Sequence, residues 1–267
     1  MAVSVSTWGK AEDDDGYDLS VVVPAHNEAP HIARTLDRLM AVFEAYDAEI
    51  VVVNDGSTDD TISQVKQWQD DHGTVDVRLV TLAENAGKGV ALCRGTAEAA
   101  GRWVGWIDAD GDIDPGELLR LWQHAQRHGG VVVGNKQHQT WQTQGVPWWR
   151  KLVSRTFVVV VHGLYHLPVQ DTQTGCKVFP GQWIRATLPE VAAKGYLLDL
   201  EVLVRAHLAD MPVAEQPVTV ESQRTANRIG AKHIVRSLGE LYQLHGRYRR
   251  LRREIRYQEV QHANMHA

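Results

Sequence analysis

Four carboxylates alternate along Ile107–Pro115, at Asp108, Asp110, Asp112 and Asp114, directly after the apolar run Trp103–Ile107. Like charges this close repel unless a cation or solvent sits among them. An Asp-x-Asp-x-Asp run also opens a calcium-binding EF-hand loop, which needs Gly at its sixth position and Glu at its twelfth. Counted from Asp108, those positions hold Ile113 and Leu119, so the calcium loop is excluded. A second reading is an acidic turn that caps a helix starting near Pro115.

Three other polar clusters share a pattern with this one, because each follows an apolar run of strand length. "PAHNE" follows "LSVVV", "NDGSTDD" follows "EIVVV", and "AENAGKG" follows "VDVRLVTL". Between these runs, apolar residues recur at helical spacing: Ile32, Leu36, Leu39, Met40 and Phe43, then Ile62, Val65 and Trp68. A third helix is expected from about Gly87 to Ala100. The rhythm predicts an α/β fold with a mainly parallel sheet and helices on both faces. Ligands of such sheets bind outside the carboxyl ends of the strands, which would bring all four clusters to one rim. No G-x-G-x-x-G follows the first strand, and Gly89 rather than Ser or Thr follows Lys88, so neither a dinucleotide fingerprint nor a P-loop is present.

Beyond Arg127 the pattern loosens. "GGVVVGNK" and "GCKVF" read as strands, with helices near Gln182–Thr187 and Asp199–Ala209 and a strand within "PVAEQPVTV". "VPWWRKLVSRTFVVVVHGLYHL" reads as an amphipathic, aromatic and basic segment. Ile234, Leu238, Leu241, Tyr248, Leu251 and Ile255 form one stripe of a final helix. The expected organisation is an acidic disordered tail over 1–18, one domain over 19–230, a basic amphipathic helix over 231–256 and a tail over 257–267.

At 43% hydrophobic and 23% charged residues, the 267-residue chain has the composition of a soluble protein able to bury a full core. Its two cysteines, Cys93 and Cys176, have no metal-ligand spacing and suggest a reducing compartment. The opening residues lack the apolar core of a secretory signal. The apolar stretch Thr156–Val169 is too short to span a bilayer and is interrupted by histidines. The formal charge of −5 hides ten Lys or Arg against two Glu between Arg224 and Arg256. That basic end points either to a phosphate-bearing or membrane-surface partner, or to a solvated helix face.

Taken in order, "VVVPAHNE", "VVVNDGSTDDT", "ENAGKGVA", "IDADGD", "DTQTGCKVF" and "LDLEVL" resemble the inverting family 2 glycosyltransferases of GT-A fold. The last two motifs resemble the branch that moves a hexose from a nucleotide-sugar, UDP-glucose or GDP-mannose, onto a polyprenyl phosphate such as dolichyl phosphate. The likeness runs from about Leu19 to Tyr248. It implies that Pro24, Ala25 and Glu28 edge a nucleoside pocket, that Asp55 accepts a hydrogen bond from the base, and that Lys88 lies near the nucleotide. Asp108 and Asp110 would form the DxD motif, with Asp110 the direct ligand of Mg2+ or Mn2+ and Asp112 completing the metal site. An all-oxygen cluster suits such hard cations.

The implied acceptor is already mostly ionised near neutrality, since a phosphate monoester has a second pKa of about 6. It needs cations rather than a strong base. Lys136, Arg155 and Lys177 match family positions for that task, and Arg150, Arg228 and Lys232 are further candidates. Asp199 and Glu201 would lie near the sugar or support the acceptor; on a strand they share a face, and on a helix they diverge. Lys136 stands where the family often carries Arg, and Cys176 where it carries Phe. The glucosyl pattern is the nearer match for "DTQTGCK".

The resemblance implies a peripheral enzyme of the cytoplasmic membrane face, resting on Pro147–Leu167 and Lys232–Arg256. No nucleic-acid partner is expected. Two other readings keep the donor site. One replaces the lipid by a soluble hydroxyl acceptor, with Asp171, Asp199 or Glu201 as base, and the other is a non-catalytic nucleotide-sugar sensor.

Overall fold

The computed structural model describes residues 16–72, 76–136, 148–195, 197–221, 239 and 241–253, with 148–155 and 157 described by backbone alone. The first half alternates strand and helix: β1 (Leu19–Ala25), α1 (Ile32–Phe43), β2 (Ala48–Asp55), α2 (Thr61–Asp71), β3 (Asp76–Leu82), α3 (Lys88–Glu98), β4 (Trp103–Trp106) and α4 (Pro115–His128). Then follow β5 (Val131–Asn135), α5 (Trp148–Tyr165), β6 (Lys177–Pro180), α6 (Gly181–Thr187), a 3-10 turn (Leu188–Glu190), α7 (Leu198–Leu208) and β7 (Val213–Pro217). Residues 241–253 are helical.

The sheet runs β3-β2-β1-β4-β6-β5-β7. β1 pairs in parallel with β2 and β4, and β2 with β3. Parallel strands covered on both faces should be apolar throughout, and β1 and β2 are buried along nearly their whole length. Alternation divides the sheet's side chains between two cores. Val21 and Val23 of β1 pack with α1, α2 and α4, whereas Val22 packs with α3, α6 and α7.

β6 is antiparallel to both β4 and β5, and β5 is parallel to β7. The fold is the expected α/β sheet, made mixed by one reversed strand. After β7 the chain returns to the region that follows β4: Val220 bridges Ile113, and the Glu221 amide donates to the Asp112 carbonyl at 2.9 Å. Strand order reverses direction between β1 and β4, so a crevice opens at their carboxyl ends.

Candidate active site

The ends of β1, β2 and β3 are joined by side chains before any charge is considered. The Asp55 carbonyl accepts from His26 Nδ1 at 2.7 Å, which leaves Nε2 to accept from the Asn85 amide at 2.8 Å. Asn27 adopts a left-handed backbone with φ of 55°. Its Oδ1 accepts from the Thr58 amide, and its own amide donates to Ser57 Oγ. The Glu28 amide donates to Thr61 Oγ1, while the Glu28 carbonyl accepts from Ile32 and starts α1. Pro24 and Ala25 end β1 at this crevice.

Asp55 is 3% exposed, and its two oxygens accept from the amides of Ala86 and Gly87 at 2.7 and 2.9 Å. Its observed task is therefore to hold the loop between β3 and α3, which sequence reasoning had not foreseen. That loop delivers Lys88 at the first turn of α3, where the helix dipole is positive.

Lys88 forms an ion pair with Asp108 at the end of β4, the two side chains being 47% and 34% exposed. Burial works against the Lys88 charge, yet the carboxylates of Asp108, Asp199 and Asp110 outweigh it and raise its pKa. Burial likewise raises the Asp108 pKa, but Lys88, Lys136 and Lys177 overcome it and hold the carboxyl below its ordinary value. Beneath this pair lies Gly175, where a Cβ would overlap the Asp108 carboxylate. Only glycine allows β6 and the loop before it to approach so closely.

Lys177 is only 1% exposed and is bound to Asp199 Oδ1 at 2.7 Å and to the Thr174 carbonyl. The Lys136 amide donates to Asp171, itself 3% exposed, at 3.2 Å. Asp171 also accepts from the Gln173 amide, and its own amide is taken by Glu215. The later half of the chain thus supplies a fixed cation, Lys177, and a braced loop that carries Lys136.

The acidic run divides its labour. Asp114 caps α4 by accepting from the Gly116 amide at 2.7 Å. Asp110 Oδ1 accepts from the Asp112 amide at 3.1 Å. Among the described residues, no group of three or more His, Cys, Asp or Glu side chains could hold a metal ion, so Asp108, Asp110 and Asp112 do not form a self-sufficient trio. Mg2+ and its close analogues typically take one or two carboxylates plus substrate phosphates and water. Asp108, open to solvent beside Lys88, and Asp110, two residues further on, are the two carboxylates that could answer that smaller requirement.

Asp199 and Glu201 lie in the first turn of a helix and diverge. Asp199 faces Lys177, whereas Glu201, 1% exposed, accepts from the amides of Ala192 and Ala193 and pairs with Arg247 at 3.0 Å. Glu201 therefore faces Arg247 and the 192–193 amides rather than Lys177. It braces the 192–195 loop, whose Lys194 carbonyl packs against Gly89 beside Lys88. The side chains of Arg150 and Arg155 and all of Arg228 and Lys232 lie outside the described residues.

Sequence reasoning missed Arg38 of α1. Its guanidinium donates to the Gly111 carbonyl at 3.1 Å, to Asp114 at 2.5 Å and to Glu221 at 2.8 Å. Thr35, one turn earlier, donates to the Ala109 carbonyl at 2.8 Å. Together they clamp the acidic loop from below. A polar pair on an otherwise apolar helix face was the available signal.

Comparison with known proteins gives the chemistry a context. The family model described as Glycosyl transferase family 2 matches residues 20–179. A dolichyl-phosphate beta-glucosyltransferase of Drosophila melanogaster is 30% identical over 238 residues, covering 81% of this chain and 71% of that protein. One from Saccharomyces cerevisiae is 27% identical over 229 residues, covering 78% and 68%. Among solved structures, glucosyl-3-phosphoglycerate synthase from Mycobacterium tuberculosis in complex with uridine-diphosphate superimposes with a TM-score of 0.65 at 22% identity, covering 86% of this chain and 81% of that one. The same enzyme in complex with Mn2+, uridine-diphosphate and phosphoglyceric acid gives 0.58 at 23% identity, covering 84% and 74%. At such identities the likeness establishes the shared GT-A fold.

Proposed function

The chain belongs to glycosyl transferase family 2, and on that footing we propose that it moves glucose from UDP-glucose to a polyprenyl phosphate at a membrane surface, with inversion at the anomeric carbon. The observation that carries this reading is the pairing of Lys88 with Asp108 and of Lys177 with Asp199 at the switch point of the sheet, with the electrostatic influence of Lys136 also reaching Asp108. A diphosphate leaving group and a phosphate nucleophile are both anionic, and holding them together requires cations rather than a strong base. The names of the curated relatives support the glucose and the lipid phosphate.

In this reading a phosphate oxygen of the acceptor attacks the anomeric carbon. The bond to the UDP β-phosphate oxygen breaks, and its electron pair leaves on the diphosphate. No proton has to move. Lys88 meets the diphosphate, Lys136 meets the acceptor phosphate, and Lys177 keeps Asp199 fixed. Asp108 and Asp110 would hold Mg2+ or Mn2+, which when bound supplies Lewis-acid neutralisation of the leaving diphosphate.

No helix among the described residues is long and apolar enough to cross a membrane. The membrane part of the proposal is peripheral contact at the cytoplasmic face. It is supported by Val159 on α5, 70% exposed, by Tyr242, 82% exposed, and by the exposed Arg249, Arg250, Arg252 and Arg253.

The test is organic extraction after incubation with polyprenyl phosphate, Mn2+ or Mg2+ and labelled UDP-glucose, with GDP-mannose as a separate arm. Lipid-phase label that disappears in Asp110→Ala and with EDTA is the expected result. Metal-dependent nucleotide release without lipid label would move the acceptor to a soluble compound. Binding of nucleotide with no turnover would leave only a sensor.

A further inference from the structure

The carboxylate of Asp108 at the end of β4 is already paired with a side-chain cation, Lys88. Lys177 is ion-paired with Asp199 at 2.7 Å, so each of these two carboxylates already has a cation beside it. A divalent cation arriving alone would meet the Lys88 ammonium on the carboxylate it needs. A diphosphate arriving alone would meet carboxylates. Arriving together, each supplies the counter-charge the other lacks.

The side chains differ sharply in their freedom to respond. Lys177 is 1% exposed and tied to Asp199 and the Thr174 carbonyl. The backbone before Lys88 is likewise fixed, because Asp55 binds the amides of Ala86 and Gly87. The Lys88 side chain itself is 47% exposed and contacts its partner through a single ion pair at the solvent face. It carries a compact charge on a flexible four-carbon stem. Of the cations whose side-chain contacts are described, it is the one able to swing.

We propose that Lys88 is a placeholder for the metal, neutralising Asp108 until a nucleoside diphosphate draws the ammonium away, so that metal and nucleotide bind cooperatively. The proposal rests on the donor-site reading above and adds an order to it. Linkage makes the coupling reciprocal: nucleotide strengthens metal binding by the same factor as metal strengthens nucleotide binding.

The experiment is titration of purified protein with Mn2+, followed by electron paramagnetic resonance of the free ion. It is run with and without UDP and corrected for the Mn2+–UDP complex in solution. The wild-type chain, Lys88→Met and Lys88→Arg are compared, each checked for an unchanged melting temperature. The expected result is that UDP strengthens Mn2+ binding to the wild type, and that Lys88→Met binds Mn2+ alone about tenfold more tightly with a smaller gain from UDP. Lys88→Arg, which keeps the charge, should behave as the wild type. Unchanged or weaker Mn2+ binding by Lys88→Met, or equal behaviour of Lys88→Arg and Lys88→Met, overturns the placeholder while leaving the donor site standing. Failure of the wild type to bind UDP with or without Mn2+ overturns the donor site itself, and the placeholder with it.

Discussion

The two rims of the sheet carry similar residues to opposite ends. At the amino rim Glu49 is fully buried, yet its carboxylate accepts from Ser20 Oγ at 2.6 Å and the Ala100 amide at 2.7 Å, and pairs with Arg78 at 3.1 Å. Ser20 Oγ in turn accepts from the Gly101 amide, and Arg78 donates to the Glu98 carbonyl. Arg185 closes the same end on the carbonyls of Ala99 and Gly101. Here each charged side chain is bonded at least partly to backbone, which cannot leave. At the carboxyl rim, Lys88 and Asp108 are bonded to each other and stay open to solvent. The difference separates charges bonded to backbone from a pair held only by each other, and it lies in the partner rather than in the residue type.

The largest expected effect falls on the carboxyl rim. Asp110→Ala, or Asp108→Ala, should lower transfer activity by roughly 10²–10³-fold, the scale seen when one group that stabilises a leaving charge is removed. The melting temperature should stay close to that of the parent. Activity and thermal unfolding measured on the same preparation check both halves, and a large loss of stability would erase the contrast between the rims.

The amino rim predicts the reverse. Glu49→Ala strands the Ser20 hydroxyl, the Ala100 amide and Arg78, and should cost about 3 kcal/mol of unfolding free energy. Turnover per folded molecule should not change. Urea denaturation beside kcat separates the outcomes, and a fall in kcat at unchanged stability would show that the amino rim also serves the chemistry.

That division was only partly legible in the sequence. β1, β2 and β4 and the loops after them could be read because parallel strands buried on both faces leave continuous apolar runs, and each run ends in its polar cluster, while the half-buried edge strand β3 keeps only part of that signal. The place of β6 could not be read. Four strand residues, Lys177 to Pro180, do not say that they insert antiparallel between β4 and β5, since that choice is settled by distant packing. Asp199 and Glu201 were seen as a pair, but only the helix shows that one faces Lys177 and the other Arg247. Asp55 was expected to accept from the base, and the structure adds that its carboxylate accepts from the amides of Ala86 and Gly87. Of the final stripe, Leu241 and Tyr248 are buried, with Tyr248 edge-on to Tyr165 of α5, while Ile234, Leu238 and Ile255 lie outside the described residues.

A smaller effect tests the clamp beneath the acidic loop. Arg38→Ala removes the donors to Gly111, Asp114 and Glu221 while leaving Asp108 and Asp110 in place. A displaced loop should reduce kcat/KM about tenfold and weaken Mn2+ binding in the presence of UDP, since positioning errors act on rate without removing a reacting group. Arg38→Lys should restore part of both. A stability loss with normal metal affinity would make Arg38 a structural residue only.

The smallest effect is the most pointed, because it concerns what the exposed pair does for the fold. The Asp108 carboxyl is held below its ordinary value, burial being outweighed by Lys88, Lys136 and Lys177. Its contribution is therefore full above the unfolded pKa of about 3.9 and is lost as pH falls through the lower folded value. Lys88 is raised, burial being outweighed by Asp108, Asp199 and Asp110. Its contribution is full below the unfolded value of about 10.4 and is lost as pH rises through the higher folded one. Between about pH 5 and 9 neither group titrates. With side chains 47% and 34% exposed, the pair is screened by water and should contribute less than about 1 kcal/mol. The double variant Lys88→Met with Asp108→Asn should thus unfold within about 1 kcal/mol of the parent, by a margin that stays constant across that window. Urea denaturation at pH 5, 7 and 9 measures it. A margin near that of Glu49→Ala would mean that the pair at the carboxyl rim holds the fold as its counterpart does, and that a ligand displacing it would have to unbrace the protein to bind.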